Sequence, residues 1–220
     1  MSPRRAAALE HSGDLSLRDH LIAAATHLIA ERGIAGLTVR DIARHARVAD
    51  GVLYNHFANK EELLALALRA HVEAVESTLA DLPPPGSGSV ESCLRAYVEY
   101  GITLHAALLP VFAQALAQPD MLARFGALAD DDPEWGLQPA LLRHLREEQD
   151  LGRIAREANV AAAATMLVGA CHELILPRLF RQDAIGPLQV PAGFVDDLVE
   201  TILTGIKSLT GIKSPKVRAK

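Results

Sequence analysis

Aromatic residues are scarce in this chain of 220 residues: one Trp, three Tyr and five Phe, 4% in all. Strands lean on aromatic and β-branched side chains. Here the hydrophobic half of the sequence is drawn mostly from Ala, Leu, Val and Ile, a mix that favours helices. No segment has the sustained alternation of a strand, so the expected fold class is all-α. Cysteine is nearly absent. Cys93 and Cys171 exclude a dense disulfide framework and fit a reducing, cytoplasmic setting. Long apolar runs are missing too. The longest, Val160 to Cys171, is broken by Thr165 and falls short of the roughly 20 residues of a membrane span, so no membrane partner is expected. The first ten residues lack the apolar stretch of a signal peptide. There is no G-x-S-x-G elbow, no phosphate-cradling Gly-rich loop and no H-E-x-x-H pair, which argues against an enzyme and leaves no cofactor or metal to expect.

The net charge of -5 argues against wholesale coating of a polyanion, but only as an average. Through residue 64 there are eight Lys/Arg and eight Asp/Glu; the remaining residues hold 14 and 19 and account for the whole excess. Between Thr38 and Lys60, four basic residues face two acidic ones, Asp41 and Asp50. A polyanion bound there would need a specific site and more than one copy of the chain.

Residues 1–16 read as a flexible arm carrying Arg4 and Arg5. Leu17, Leu21, Ala24, Ala25, Leu28 and Ile29 then recur at helical spacing, with Ser16 as a candidate N-cap and Gly33 as the stop. Thr38 caps a short helix to about His45, and a tight connection leads to a second, about Ala49 to His56. Asn59 caps a long helix to about Asp81, with Glu62 placed to close a capping box. Beyond the Pro83–Gly88 break the pattern predicts helices over about 89–108, from Pro110 to near Pro119, on to about Leu128, and over 138–150, 159–176 and 194–206. Asp130 to Asp132 reads as an acidic loop. Leu203–Ser208 repeats as Leu209–Ser214, a local duplication at the start of a basic tail, residues 207–220.

The informative segment is 38–57. Two short helices across a tight turn make a helix-turn-helix, whose second helix enters a DNA major groove while the first braces it. Ile42, Ala43, Ala46, Val48, Val52 and Leu53 would form its small core. Gly51 inside the second helix costs about 1 kcal/mol relative to Ala; a close approach to DNA or to a neighbouring helix would justify it. The run Ile42-Ala43-x-x-Ala46-x-Val48-x-x-Gly51-x-Leu53-Tyr54-x-His56-Phe57-x-x-Lys60-Glu61-x-Leu63-Leu64, preceded by Glu31-Arg32-Gly33-x-x-x-Leu37-Thr38, resembles the signature of the tetracycline-repressor (TetR) family. The resemblance covers about residues 17–64. The chain departs from the family pattern at Arg47, where Gly is usual, so the turn backbone there is expected to suit a residue with a Cβ. It departs again at Ala49, where Ser is usual, and at Val52, where Thr is common; both remove a polar contact.

The resemblance implies a DNA-binding domain over 17–64, its last helix running on to about 81, and a ligand-binding and dimerising domain over 65–206. It implies phosphate contacts from Tyr54, His56 and Lys60, with Thr38 offering its N–H and hydroxyl to a flanking strand. Side-chain chemistry adds Arg40, Arg44 and Arg47 for phosphates or bases, Asn55 for a base edge, and Ala49 or Val52 against a thymine methyl. The same residues have plainer roles: Tyr54 and Phe57 as core, Arg40 and Arg44 as a solvated face. The helices at 159–176 and 194–206 would build a dimer interface, the first being apolar nearly all round and therefore buried on several sides. Candidates for an apolar ligand pocket are Tyr97, Tyr100, His105, Phe112, Phe125, Trp135, Met166, Cys171 and His172. The implied function is a dimeric regulator, in the usual case a repressor, that leaves a palindromic operator in double-stranded DNA when a small lipophilic ligand binds. The alternative is a helical protein-binding module, or a regulator without a small-molecule ligand.

Overall fold

Local chemistry sets the helix ends. The computed structural model describes residues 17–180 and 188–205. Helix α1, Leu17–Arg32, ends where Gly33 takes a φ of 79° and its N–H donates to the Ile29 carbonyl at 2.8 Å. A Cβ at Gly33 would also displace the Gln114 carboxamide that packs over it. Helix α2, Val39–His45, opens on a capping box in which the Asp41 N–H donates to Thr38 Oγ1 and the Thr38 N–H donates to Asp41 Oδ2, both at 3.1 Å. Helix α3, Lys60–Glu76, is capped by Asn59, whose Oδ1 accepts the Glu62 N–H at 3.0 Å. Glu62 reaches one residue farther back than a capping box and accepts the Ala58 N–H at 2.7 Å.

Between α2 and α3, Asp50–Asn55 forms a 3₁₀ helix rather than the α-helix expected over about 49–56. Ala49 sits at its N-cap with no side chain to accept a hydrogen bond, and Gly51 and β-branched Val52 are weak helix formers, so only a short, tight turn persists.

The remaining helices are α4 (Val90–Ala115), α5 (Pro119–Asp131), α6 (Leu137–Asp150), α7 (Val160–Ile175) with a 3₁₀ turn at Leu176–Phe180, and α8 (Phe194–Thr204). No strand occurs among the described residues. Four expectations are corrected. α4 runs unbroken through Pro110: an interior proline costs about 3 kcal/mol, but Leu108, Leu109, Val111 and Ala115 are buried on either side of it and hold both halves in line. α3 stops at Glu76, short of Asp81. Asp130 and Asp131 belong to α5, so only Asp132 of the acidic run lies beyond the helix. α7 is not buried all round: Ala164, Leu167, Val168, Cys171 and Ile175 are covered, while Ala161, Ala162, Met166 and Gly169 are exposed. Ser16, the 1–16 arm, the end of the last helix at Ile206 and the 207–220 tail lie outside the described residues.

Two apolar cores result. The first joins α1, α2, the 3₁₀ helix and α3 to the Leu104–Ala115 half of α4 and to Met121. The second joins the Leu94–Ile102 half of α4 to α6, α7 and Val199 of α8. α4 and Val160–Phe180 are each long and apolar enough to cross a membrane by length and composition. The second exceeds the expected apolar run because the helical path continues past Pro177. In α4 the apolar length is used to thread both cores.

The turn between α2 and the 3₁₀ helix is sharper than expected. Arg47 takes a φ of 57° and is the one non-glycine residue with positive φ among those described. The left-handed turn is kept although the glycine is not, at a cost of about 1–2 kcal/mol for a residue with a Cβ. Arg47→Val, whose branch crowds that conformation further, should lower unfolding stability by about 1–2 kcal/mol, and Arg47→Asn should cost less than the valine. Urea melts of the two variants measure the difference.

Candidate functional site

The helix-turn-helix places the residues expected to touch DNA in three groups. Ala49, Tyr54 and Asn55 are exposed, as are Arg40, Arg44 and Arg47, and His56 is half-buried. Tyr54 is 62% exposed, a large aromatic left in solvent, while Phe57 is only 4% exposed and belongs to the core, with the Arg18 guanidinium 5.0 Å from its ring centre. Gly51 has nothing within 4 Å of a would-be Cβ, so no neighbouring helix of this chain demands it.

In the second group the candidates are engaged by the protein itself. Thr38 spends both donors on Asp41, its hydroxyl at 2.6 Å, so neither is free for a flanking strand. Those two hydrogen bonds, helped by Arg32 and Arg44, hold the Asp41 carboxyl below its ordinary range. Arg40 lies 3.4 Å from Asp50, and Arg44 lies 3.9 Å from Asp41. The Lys60 ammonium donates to the Leu37 carbonyl at 3.1 Å and ties the start of α3 to the loop before α2. Val52, the third case, is half-buried and packs against the first core, whereas Ala49 is an exposed apolar side chain.

Two contacts that the sequence did not suggest join this domain to the rest. The Ala35 N–H donates to Gln114 Oε1 at 3.0 Å, and Gln118 Nε2 donates to the Ile34 carbonyl at 3.2 Å. Gln114 lies in the last turn of α4 and Gln118 caps the start of α5. Polar residues near a helix end carry no pattern that marks them as inter-domain ties.

A cavity of about 390 Å³ lies among α3, α4, α5 and α7, within the usual size for a small-molecule site. His105, Phe112, Phe125, Trp135 and His172 line it as expected, and Leu104, Leu108, Leu109, Ile175 and Leu179 extend its apolar wall. α3 contributes Val72 and Glu76. Four expected residues are elsewhere. Tyr97 packs on His144 in the second core, and Tyr100 faces a separate groove with Leu79 and Leu82. Met166 is 54% exposed on the outer face of α7, and Cys171 is buried against α4 with its thiol pushed up to about 11 by desolvation. Helical spacing gives the inward residues, but not which inward face meets a void.

Polar groups in the cavity are few. The His105 Nδ1–H donates to the Gly101 carbonyl at 2.6 Å, which leaves Nε2 to accept from His172 Nε2 at 3.0 Å. Burial pushes both imidazoles below their ordinary value, so the pair is neutral near pH 7. Burial, reinforced by Glu73, raises the Glu76 carboxyl. Trp135 keeps a buried indole N–H without a hydrogen-bond partner. Its ring lies 4.9 Å from the Arg69 guanidinium, and Arg69 in turn holds Asp132 at 2.5 Å.

Residues 21–67 match the model of the bacterial regulatory proteins, tetR family. Among curated proteins, the transcriptional repressor KstR2 of Mycobacterium tuberculosis is 40% identical over 67 residues, which are 30% of this chain and 34% of that protein. The repressor NemR of Escherichia coli is 29% identical over 82 residues, 37% of this chain and 41% of that one. The chain thus spans about a third of the length of the curated relatives it first matches. In solved structures the likeness extends over both domains. The TetR-family transcription regulator SCO0332 aligns over 87% of this chain and 98% of its own with a TM-score of 0.59 and 25% identity. FadR from Bacillus subtilis, in complex with stearoyl-CoA, aligns over 86% and 99% with a TM-score of 0.52 and 22% identity.

The buried histidines make stability depend on acid. Desolvation lowers His71, His105, His144 and His172, so the folded chain holds fewer protons on these rings than the unfolded chain does. Their contribution is complete above the ordinary imidazole value near 6.5 and is lost as pH falls below it. Glu76, raised from 4.5, has the opposite sign and acts at lower pH. The urea midpoint should therefore fall between pH 6.5 and pH 5, and the fall should shrink in a His105→Gln/His172→Gln double variant.

Proposed function

Because the chain belongs to the tetR family of bacterial transcriptional regulators, we propose that it is a dimeric repressor, released from a palindromic operator when a neutral lipophilic molecule enters the cavity. The observation that carries this reading is the double use of α3. Its first residue, Lys60, is bonded into the helix-turn-helix, and its last turns, Val72 and Glu76, are cavity wall. A ligand that displaces the end of α3 therefore works directly on the placement of the DNA-reading surface, a coupling through one shared element.

Ligand class follows from the lining. Among the described lining residues there is no Lys or Arg. The solved FadR holds stearoyl-CoA, but the phosphates of a coenzyme A group would meet Glu76 here and no cation. A mainly apolar molecule with one or two polar atoms, aimed at the neutral histidine pair and the free Trp135 N–H, fits better. Trp135 is the only tryptophan of the chain, so its fluorescence reports filling of the cavity. A chromosomal operator places the protein in the cytoplasm.

The dimer reading rests on the open side of α7 and α8. Ala161, Ala162, Met166 and Gly169 are exposed there, with Leu176 and Leu203 49% and 45% exposed at its ends. An apolar face of this kind calls for a partner, and a two-fold pairing would set two helix-turn-helix units for a palindrome. Met166→Glu should convert the dimer to monomer in sedimentation equilibrium, with unchanged helix content.

The decisive measurement is fluorescence anisotropy with duplexes from the DNA flanking the gene. Tyr54→Ala and Lys60→Ala should each weaken binding by about 1–3 kcal/mol. Gly51→Ala should weaken it too, because the open space at Gly51 is the room that DNA would fill, while leaving stability unchanged or raised by up to about 1 kcal/mol. A folded, dimeric protein that binds no flanking fragment at low salt would overturn the reading.

A further inference from the structure

A second cluster of donor groups lies at the other end of α4 from the helix-turn-helix. Cys93 stands in the first turn of α4, and His144 and Glu148 are one turn apart on α6. They are 2%, 2% and 0% exposed. One donor atom from each, the thiol sulfur, an imidazole nitrogen and a carboxylate oxygen, lies within 4.8 Å of the other two. None of the three lines the effector cavity.

Their hydrogen bonding is incomplete. Neither ring nitrogen of His144 has a partner, and Glu148 Oε2 has none. His144 Nε2 is 3.6 Å from Glu148 Oε1, too far for a hydrogen bond. Oε1 is used otherwise: it accepts the Gly86 N–H at 2.8 Å. Arg153 Nε comes within 3.1 Å of Oε2, but its N–H is not aimed there, so the pair is Coulombic and the oxygen keeps a free lone pair. Buried polar atoms are paired almost without exception, so an imidazole with two open nitrogens beside a half-used carboxylate and a thiol needs an occupant.

We propose that Cys93, His144 and Glu148 bind a divalent metal ion of the zinc class. A thiolate, an imidazole and a carboxylate are the donor set of zinc and cobalt, whereas magnesium and calcium take oxygen ligands. The thiol proton leaves to solvent, and thiolate and carboxylate then set two negative charges against the dication and the Arg153 guanidinium beside Oε2, one net positive charge. Zinc–ligand lengths near 2.0–2.3 Å put tetrahedral donors roughly 3.3–3.8 Å apart, so the cluster must close by about 1 Å around the ion. A water would take the fourth position. The loop that carries Gly86 and Ser87 already leans on this cluster, through the Gly86 N–H and through the Cys93 thiol, which donates to the Ser87 carbonyl at 3.1 Å. A bound ion would fasten that loop and the start of α4 to α6.

A buried water could satisfy His144 and Glu148 without involving the thiol, so sulfur ligation is the discriminating sign. The full-length protein, cleared of metal by chelation and desalting, is titrated with cobalt(II) alone. The expected result is one equivalent bound, with a sulfur-to-cobalt charge-transfer band in the near ultraviolet that zinc abolishes by displacement. The band should vanish in Cys93→Ser and persist in Cys171→Ser. Glu148→Gln, which keeps the side-chain shape, should bind cobalt at least about tenfold more weakly, and it serves in place of Cys93→Ser should that variant not fold by circular dichroism. Cobalt binding without a thiolate band, a band that survives Cys93→Ser, or undiminished affinity in Glu148→Gln would each overturn the proposal.

Discussion

The structure turns on the burial of α3 along nearly its whole length. Leu63, Leu64, Ala65, Ala67, Leu68 and Val72 all sit in the first core, so the helix cannot shift at one end without disturbing packing at the other. Its start is pinned to the helix-turn-helix by Lys60 and Glu62, and its flank by the Thr26 hydroxyl, which lies 3.3 Å from the Ala67 carbonyl. Its far end packs on the same core through Val72 and Val75 and also forms cavity wall through Val72 and Glu76. A close-packed interior transmits displacement because side chains have few alternative rotamers. Packed throughout at one end and bordering a cavity at the other, α3 is suited to act as a lever between the helix-turn-helix and the cavity, and α4 and α5 also touch both the first core and the cavity.

Electrostatics explain why an acidic chain can serve such a role and why its affinity would be modest. Arg40 and Arg44 already have carboxylate neighbours, and Lys60 is bonded to a backbone carbonyl. Exposed pairs of this kind are worth about 0–1 kcal/mol, so phosphates can draw the arginines away at small cost. The net field over the helix-turn-helix stays weak all the same. Binding driven by counterion release grows with the number of phosphates met, and two such units would be required to reach an affinity that one cannot.

How much of this was legible in the sequence depends on the kind of signal. Caps and stops at Gly33, Thr38 and Asn59 are local, and the structure places helix ends at each of them. The helix-turn-helix was legible because its residues are close in the chain and each must satisfy both neighbours and turn. Pro110 misled because its local cost is real and only the tertiary burial around it offsets that cost. Arg47 misled for the same reason: the turn geometry belongs to the packing of α2 against the 3₁₀ helix, not to the residue that must adopt it. Of the ligand candidates, His105, Phe112, Phe125, Trp135 and His172 line the cavity. Tyr97, Tyr100, Met166 and Cys171 have the right polarity and lie on the same long helices, but a rotation of one residue, about 100°, separates cavity from core or solvent.

The last step concerns the cavity's position rather than its contents. It lies where the two cores meet along α4, below Gln114 and Gln118, whose side chains hold the Ile34–Ala35 loop. A molecule filling it contacts α3, α4 and α5 together, and these helices, with Gln118 at the cap of α5, carry the contacts named here to the helix-turn-helix. Filling alone changes nothing, since a ligand that binds both placements of α3 equally shifts neither. The lining supplies the asymmetry. Val72 and Glu76 sit on α3, whose other end carries Lys60, whereas His105 and His172 are hydrogen-bonded to each other and to the Gly101 carbonyl on α4 and α7. Under the proposed mechanism, a ligand anchored on the histidines and pressing on Val72 and Glu76 would distinguish two placements of α3 by its length, so that release of DNA would depend on how far the molecule reaches from the polar anchor toward α3.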